Sequence, residues 1–209
     1  MTMTRYAELD VTTNFSFLRG GSHPEELVAT AKAFGLDAIA VTDRNTLAGV
    51  VRAHLAAKEV GGIKFVVGCR LDLADAPSLL AYPQDRAAYG RLCRLLTLGM
   101  RRAEKGKCIL HLDDVSAHVD GFIFIVLSPE NACGHDFASH LRRIKQALGP
   151  RTRLYLAASQ SYRGDDRARI AALSQLAART GTPFVATNAV LYHAAHRRSL
   201  QDVLTCFRE

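Results

Sequence analysis

The chain has 209 residues, 48% hydrophobic and 22% charged, with 27 Lys and Arg against 20 Asp and Glu for a formal net charge of +7. This balance suits a folded globular core and excludes a fibrous or disordered chain, and the length fits one large domain. No apolar run reaches the ~18 residues of a membrane span, and Met1-Thr-Met-Thr-Arg-Tyr6 lacks the apolar core of a signal peptide, so a cytoplasmic protein is expected.

Strand-like and helix-like segments alternate along the chain. Residues 8–11 form a short strand candidate, and residues 23–34 a helix: Ser22 stands as N-cap, Pro24 in the first turn, Glu25 three residues after Ser22 as in a capping box, and Gly35 after the end. Ala38-Ile-Ala-Val-Thr42 is a continuous apolar run, as expected of a buried parallel strand. Residues 46–59 read as a helix with Leu47, Val50, Val51, His54 and Leu55 on one side and Gly61-Gly62 ending it. Strands are predicted at 64–68 and 78–82. A helix over 85–101 carries the apolar stripe Tyr89, Leu92, Leu95, Leu96 and Met100. Further strands are predicted at 121–127, 153–156 and 182–187, and helices at 137–148 and 165–180. A last amphipathic helix begins at Ser199, with Leu200, Val203, Leu204 and Phe207 at helical spacing. It has no Gly or Pro stop signal, so the chain is expected to be the N-terminal piece of a longer polypeptide.

About seven βα units predict an α/β protein with a largely parallel sheet, most economically a closed or nearly closed barrel. The five cysteines (Cys69, Cys93, Cys108, Cys133, Cys206) include no Cys-x-x-Cys pair, which argues against disulfides or structural zinc and for mostly buried thiols. The densest basic cluster, Arg91, Arg94, Arg101, Arg102, Lys105 and Lys107, reads either as a solvated helix face or as a nucleic-acid or partner surface.

Functional side chains of such barrels gather where strands end. The candidates are Asp10 and Thr12, Thr42-Asp43-Arg44-Asn45, Gly68-Cys69-Arg70, Ser128, and residues 187–193. In Glu8-Leu-Asp10-Val-Thr12, alternating polar side chains face one way, because strand side chains repeat every two residues. Phosphate-loop, Gly-x-Ser-x-Gly and His-Glu-x-x-His signatures are absent from the sequence. His54, on an apolar stripe, reads as packed. Asn188 reads as a loop-backbone partner.

Long strings carry a family resemblance: Asn14-Phe-Ser-Phe-Leu-Arg-Gly20, Ser22-His-Pro-Glu-Glu-Leu27, Leu47-Ala-Gly-Val-Val-Arg-Ala-His54, residues 85–98, and Leu200-Gln-Asp-Val-Leu-Thr-Cys206. In these the chain resembles the N-terminal PHP (polymerase and histidinol phosphatase) domain of a bacterial C-family DNA polymerase of the error-prone, damage-inducible branch. The resemblance covers essentially all of residues 1–209 as a single PHP domain. It implies a distorted seven-stranded (β/α)7 TIM-like barrel.

Active members resemble one another in a His-x-His near the first strand, an Asp-His after the second, a Glu after the third and an Asp-x-His after the last. Against that pattern stand Asp10 and Thr12, then Asp43 and Arg44, then Arg70, then Ala189 and Leu191, with Glu8 beside them. Only Asp43 is unchanged. Multinuclear sites need converging imidazoles and carboxylates, and two arginines would add repulsion at low dielectric. No metal or other cofactor is therefore expected in this domain, with zinc or manganese the alternative. Arg44 and Arg70 are expected to pair with Glu8, Asp10 and Asp43 as a brace, the competing reading being a solvated loop rim. His193 with His196 could form a relocated ligand pair, although a pair of surface histidines is commoner.

The resemblance further implies a parent DNA-directed DNA polymerase for translesion synthesis and repair, with magnesium in its palm. This domain would be an inactive scaffold against the palm and thumb of the same chain, reaching DNA through the parent, with translesion accessory proteins as partners and no membrane. The alternatives are a metal-dependent phosphoesterase or proofreading 3′–5′ exonuclease, and a free-standing nucleic-acid binder.

Overall fold

The computed structural model describes residues 5–129, 135–160, 162 and 164–208; Cys133 lies outside them. In chain order the elements are β1 (Ala7–Glu8), α1 (Pro24–Ala33), β2 (Ala38–Val41), α2 (Val50–Val60), β3 (Lys64–Val67), β4 (Cys69–Leu71), β5 (Leu79–Pro83), α3 (Arg86–Arg102), α4 (Leu112–Ser116), β6 (Phe122–Val126), α5 (His135–Leu148), β7 (Arg153–Ser159), α6 (Asp166–Thr180), β8 (Phe184–Thr187), a 3₁₀ turn (Ala195–Arg197) and α7 (Arg198–Arg208). They divide into two units, Met1–Cys69 with Asn188–Glu209, and Arg70–Thr187.

In the first unit β1, β2 and β3 form a parallel sheet in that order, with Ala7 opposite Ala38 and Ile39 opposite Phe65. All four residues of β2 are buried, as its unbroken apolar run requires of a strand covered on both faces. The core joins Val11, Ile39 and Val41 to Leu27, Val28 and Ala31 of α1 and to Ala53, Ala56 and Ala57 of α2. The cap of α1 is one residue later than expected: His23 is the N-cap, and its N–H donates to Glu26 Oε2 at 2.8 Å. Helix α2 starts at Val50 with Gly49 as its N-cap, after a turn in which Asn45 takes a left-handed φ of 51°. Its buried face is Val50 and three alanines, while Val51 and Leu55, expected inside, are exposed. Small side chains let the helix lie close to the core, and that packing sets its rotation.

The second unit holds a five-stranded sheet in the order β4-β5-β6-β7-β8. Strands β6, β7 and β8 are parallel neighbours, but β5 runs antiparallel to β6, with Leu79 opposite Val126. This differs in strand count from the expected closed or nearly closed seven-stranded barrel: among the described residues eight strands form two sheets, one of them mixed. Connection length is the reason. A parallel crossover needs about a dozen residues or more, and the link at 72–78 is too short to carry β5 over as a parallel neighbour of β4.

Helix α3 is capped by Asp85, which accepts from Ala88 N–H at 2.7 Å, and it buries Ala88, Leu92, Leu95, Leu96 and Gly99. Tyr89 and Met100 of the expected stripe lie at its exposed margins. Helix α6 ends at Gly181, whose φ of 59° and ψ of 37° complete a left-handed cap. The described cysteines are free thiols, with Cys69 buried, Cys93 and Cys108 half-buried and Cys206 exposed. No described helix is long and apolar enough to cross a membrane.

Candidate functional site

The chain after β1 stays extended and is gripped from both sides. Thr42 N–H donates to Val11 O at 2.8 Å, and Val11 N–H returns a bond to Thr42 Oγ1 at 3.0 Å. On the other side Val190 N–H donates to Asp10 O at 2.8 Å and Thr12 N–H to Val190 O at 2.9 Å. These ladders bring Glu8, Asp10, Thr12, Asp43, Arg44, Ala189, Leu191 and His193 into the first unit. Arg70 is the first residue of the second.

Glu8, Asp10, Thr12 and Asp43 are all buried, at 3% exposure or less. Glu8 Oε2 accepts from the Tyr6 hydroxyl at 2.8 Å, and Oε1 accepts from the N–H groups of Asp10 at 2.9 Å and Asn188 at 3.2 Å. Burial, then the adjacent Glu8 charge, pushes the Tyr6 phenol well above its ordinary value. Asp10 Oδ1 accepts from Thr42 Oγ1 at 3.4 Å.

Asp43 is held by three donors. Oδ1 accepts from Thr13 N–H at 2.9 Å and Ser16 Oγ at 2.7 Å, and Oδ2 accepts from Thr13 Oγ1 at 2.8 Å. Burial nonetheless raises its carboxyl above the ordinary range, the hydroxyls and amide opposing the shift. Ser16 Oγ also accepts from Arg44 N–H at 2.9 Å. Gly49 closes the site, since a Cβ there would sit 2.5 Å from Asp43 Oδ2 and 3.0 Å from Thr13 Oγ1.

Asp43 and Glu8 draw these bonds from hydroxyl, phenol and backbone donors, while Arg70 Nε donates to Asp72 Oδ1 at 2.8 Å and its Nη2 to Ser78 Oγ at 3.2 Å within the second unit. Arg44 is half-buried, Ala189 is left-handed at φ 50°, and Leu191 is 37% exposed with its carbonyl accepting from Gly21 N–H at 2.8 Å.

His193 turns toward α1: its Nδ1 lies 2.8 Å from Ser22 Oγ and 3.7 Å from Glu26 Oε2, and its N–H donates to Ser22 Oγ at 3.0 Å. His196 meets its ring edge-on at 5.6 Å. Exposed His54 lies 6.1 Å from the Phe65 ring, and Asn188 bonds through its backbone to Glu8 rather than to loop backbone.

Among the described residues no three His, Cys, Asp or Glu side chains are grouped to hold a metal ion. Thr12, Ala189 and Leu191 supply no imidazole or carboxylate, Arg44 and Arg70 are cationic, and only Asp10 and Asp43 of the matched positions are carboxylates, so this donor set does not fit a multinuclear centre. What the arrangement does chemically is satisfy buried carboxylates with internal hydrogen-bond donors, tying residues 8–16, 42–49 and 188–193 together. Thr13, Ser16 and Ser22 make these ties, with Gly49 leaving room for them, and none of the four is among the site residues expected from the sequence. For Thr13 and Ser16 the signal in the sequence is the density of Ser, Thr and Asn between 12 and 16, while Ser22 and Gly49 carry no comparable one.

A PHP domain family model matches residues 8–181. The chain is 54% identical over 205 residues to the error-prone DNA polymerase of Caulobacter vibrioides, covering 98% of this chain and 19% of that protein. It is 52% identical over 205 residues to error-prone DNA polymerase 2 of Agrobacterium fabrum, covering 97% and 18%. The chain thus spans about a fifth of the length of these relatives. In fold it is similar to a Bifidobacterium adolescentis protein described as a metal-dependent phosphoesterase (TM-score 0.66, 16% identity, 91% of this chain and 88% of that one). A Chromobacterium violaceum amidohydrolase with bound sulfate and no metal is also similar (TM-score 0.63, 18% identity, 89% and 87%).

Proposed function

The chain belongs to the PHP domain family, and from that membership we propose that it is the N-terminal PHP domain of an error-prone DNA polymerase, serving there as a metal-free, catalytically inactive scaffold. Its palm and thumb would be partners within the same polypeptide, with nucleotidyl transfer, magnesium and DNA belonging to the parent enzyme. Translesion synthesis, repair and accessory proteins are part of the same reading. The half-identity to error-prone polymerases along nearly the whole chain supports the parent assignment.

The observation that carries the scaffold role is the state of Asp43. The one matched ligand position that keeps its residue type has its two oxygens directed at Thr13 and Ser16. A carboxylate so bonded braces two loops, and freeing it for a cation would strand buried donors at about 1–3 kcal/mol each. Elemental analysis of purified chain tests the role: zinc or manganese well below one equivalent is expected, and a stoichiometric metal would overturn it. Primer extension on a damaged template by the longer polypeptide tests the parent assignment.

The phosphoesterase-like fold and the surviving Asp43 favour one second reading, a metal-dependent phosphoesterase or 3′–5′ exonuclease. Manganese-dependent release of nucleotides from a single-stranded DNA 3′ end, abolished by Asp43→Ala, would establish it.

A further inference from the structure

Helix α3 contains five arginines and no acidic residue in seventeen positions. Its buried side, Ala88, Leu92, Leu95, Leu96 and Gly99, faces the core, which turns Arg86, Arg94 and Arg101 outward along the opposite side. Lys105 follows just past the end. These four are exposed, and among the described residues none has a hydrogen bond or an ion pair. The neighbouring cations are committed: Arg102 forks onto both oxygens of Asp114 at 2.6 and 2.9 Å, Arg91 donates to Asp120 O at 2.8 Å, and Lys107 pairs with Glu104 at 3.0 Å. The nearby acids Asp114 and Glu104 are thereby used, and Asp85 caps the helix.

Two features set this face apart from a solvated one. Exposed helix sides usually interleave Glu with Lys or Arg at i,i+4, and here no carboxylate of α3 balances the row. Arg86 also occupies the first helical turn, where the helix dipole favours anions and disfavours cations. Asp85 supplies the capping carboxylate at that end, and Arg86 stands beside it as an exposed cation.

We infer that the outer side of α3, Arg86, Arg94, Arg101 and Lys105, is a contact surface for the phosphate backbone of DNA. At about 1.5 Å rise per residue, Arg86 to Arg101 extends about 22 Å, long enough to follow several phosphates of a strand. Backbone contact of this kind is independent of sequence and strongly salt-dependent. The apolar stripe of α3 is occupied by the core, and the exposed Tyr89, Leu98 and Met100 are scattered around the cationic row, not gathered into one face for insertion into a bilayer. The choice of DNA among polyanions rests on the polymerase reading above. Primer extension bears on that reading alone, because it shares no readout with the binding assay below.

The test is fluorescence polarisation of labelled single-stranded and duplex oligonucleotides with the 209-residue chain across about 50 to 200 mM salt. Arg94→Ala/Arg101→Ala suits it, since alanine is the best helix former and both sites are exposed. The double variant is expected to bind about ten-fold more weakly at the low end, with the log–log salt slope reduced by about 2. A control, Lys58→Ala/Lys64→Ala, removes two exposed cations elsewhere and is expected to leave both quantities unchanged. The two oligonucleotides show which DNA form the face prefers. Equal losses in the control, absence of DNA binding at low salt, or preference for phosphatidylserine vesicles or an acidic peptide over DNA would each overturn the inference.

Discussion

Thr13 holds Asp43 twice: its backbone N–H donates to Oδ1 at 2.9 Å and its hydroxyl to Oδ2 at 2.8 Å. One residue thus fixes both oxygens of a buried carboxylate that follows β2. The turn at 13–16 and the end of the strand are thereby coupled through a single side chain, with Ser16 as the third donor.

Removing that acceptor is expected to be costly. Asp43→Ala strands three buried donors, and at about 1–3 kcal/mol per unmet group, partly relieved by hydroxyl rotation, the loss is about 3 kcal/mol. Urea unfolding measures it. A loss below about 0.5 kcal/mol would mean that the bonds contribute little to the fold.

The Asp43 carboxyl also predicts a pH signature of unusual sign. Burial raises its folded value above the ordinary 3.8, so the folded chain holds this proton to higher pH than the unfolded chain. Stability from this group is therefore greatest below 3.8 and declines as pH rises to the folded value. Asp114 has the opposite sign, because its bonds to Arg102 lower its value and its contribution is lost as pH falls. Unfolding free energies of wild type minus Asp43→Asn, followed against pH, isolate the first effect. The difference is expected to favour wild type increasingly on acidification, and a flat difference contradicts it.

Gly49→Ala is expected to destabilise although its backbone, at φ −77° and ψ −15°, accepts alanine. The added methyl would lie 2.5 Å from Asp43 Oδ2, and crowding of this kind costs about 1–3 kcal/mol. Thermal unfolding reads the effect. Combining it with Asp43→Ala, which removes the clashing oxygen, should give less than the sum of the two losses.

Ser22→Ala removes the acceptor of His193 N–H and the partner of its Nδ1. Hydrogen exchange at residues 188–193 is expected to quicken about ten-fold, the equivalent of one lost bond at about 1.4 kcal/mol. Unchanged exchange there would show that the histidine is held by Glu26 instead.

The elements were legible wherever one residue pattern had one explanation. The unbroken Ala38–Val41 run is β2, the Leu92, Leu95 and Leu96 stripe is the buried side of α3, and Gly181 stops α6. The rotation of helix α2 is not legible in the sequence, because Val51 and Leu55 outrank alanines on any hydrophobicity scale, whereas the packing favours the smaller face. The reversal of β5 depends on a link length and not on composition. At the site the lost ligand pattern could be read from single residues, but the new partners of the carboxylates could not. Hydroxyls have no spacing rule of their own, and the bond between Ser22 and His193 joins positions 171 residues apart.

The first unit is assembled from Met1–Cys69 and Asn188–Glu209, with residues 70–187 threaded between them. On the ribosome β1 to β3 emerge first, but Glu8, Asp10 and Thr12 must wait for the segment that bonds them from the far end. At about 5–20 residues per second that delay is on the order of ten seconds. Residues 70–187 leave the tunnel as one continuous stretch and can close their own sheet meanwhile. The order of synthesis is thus not the order of completion: β1 to β3 can pair early, but residues 8–12, among the first made, gain their neighbours at 188–190 last.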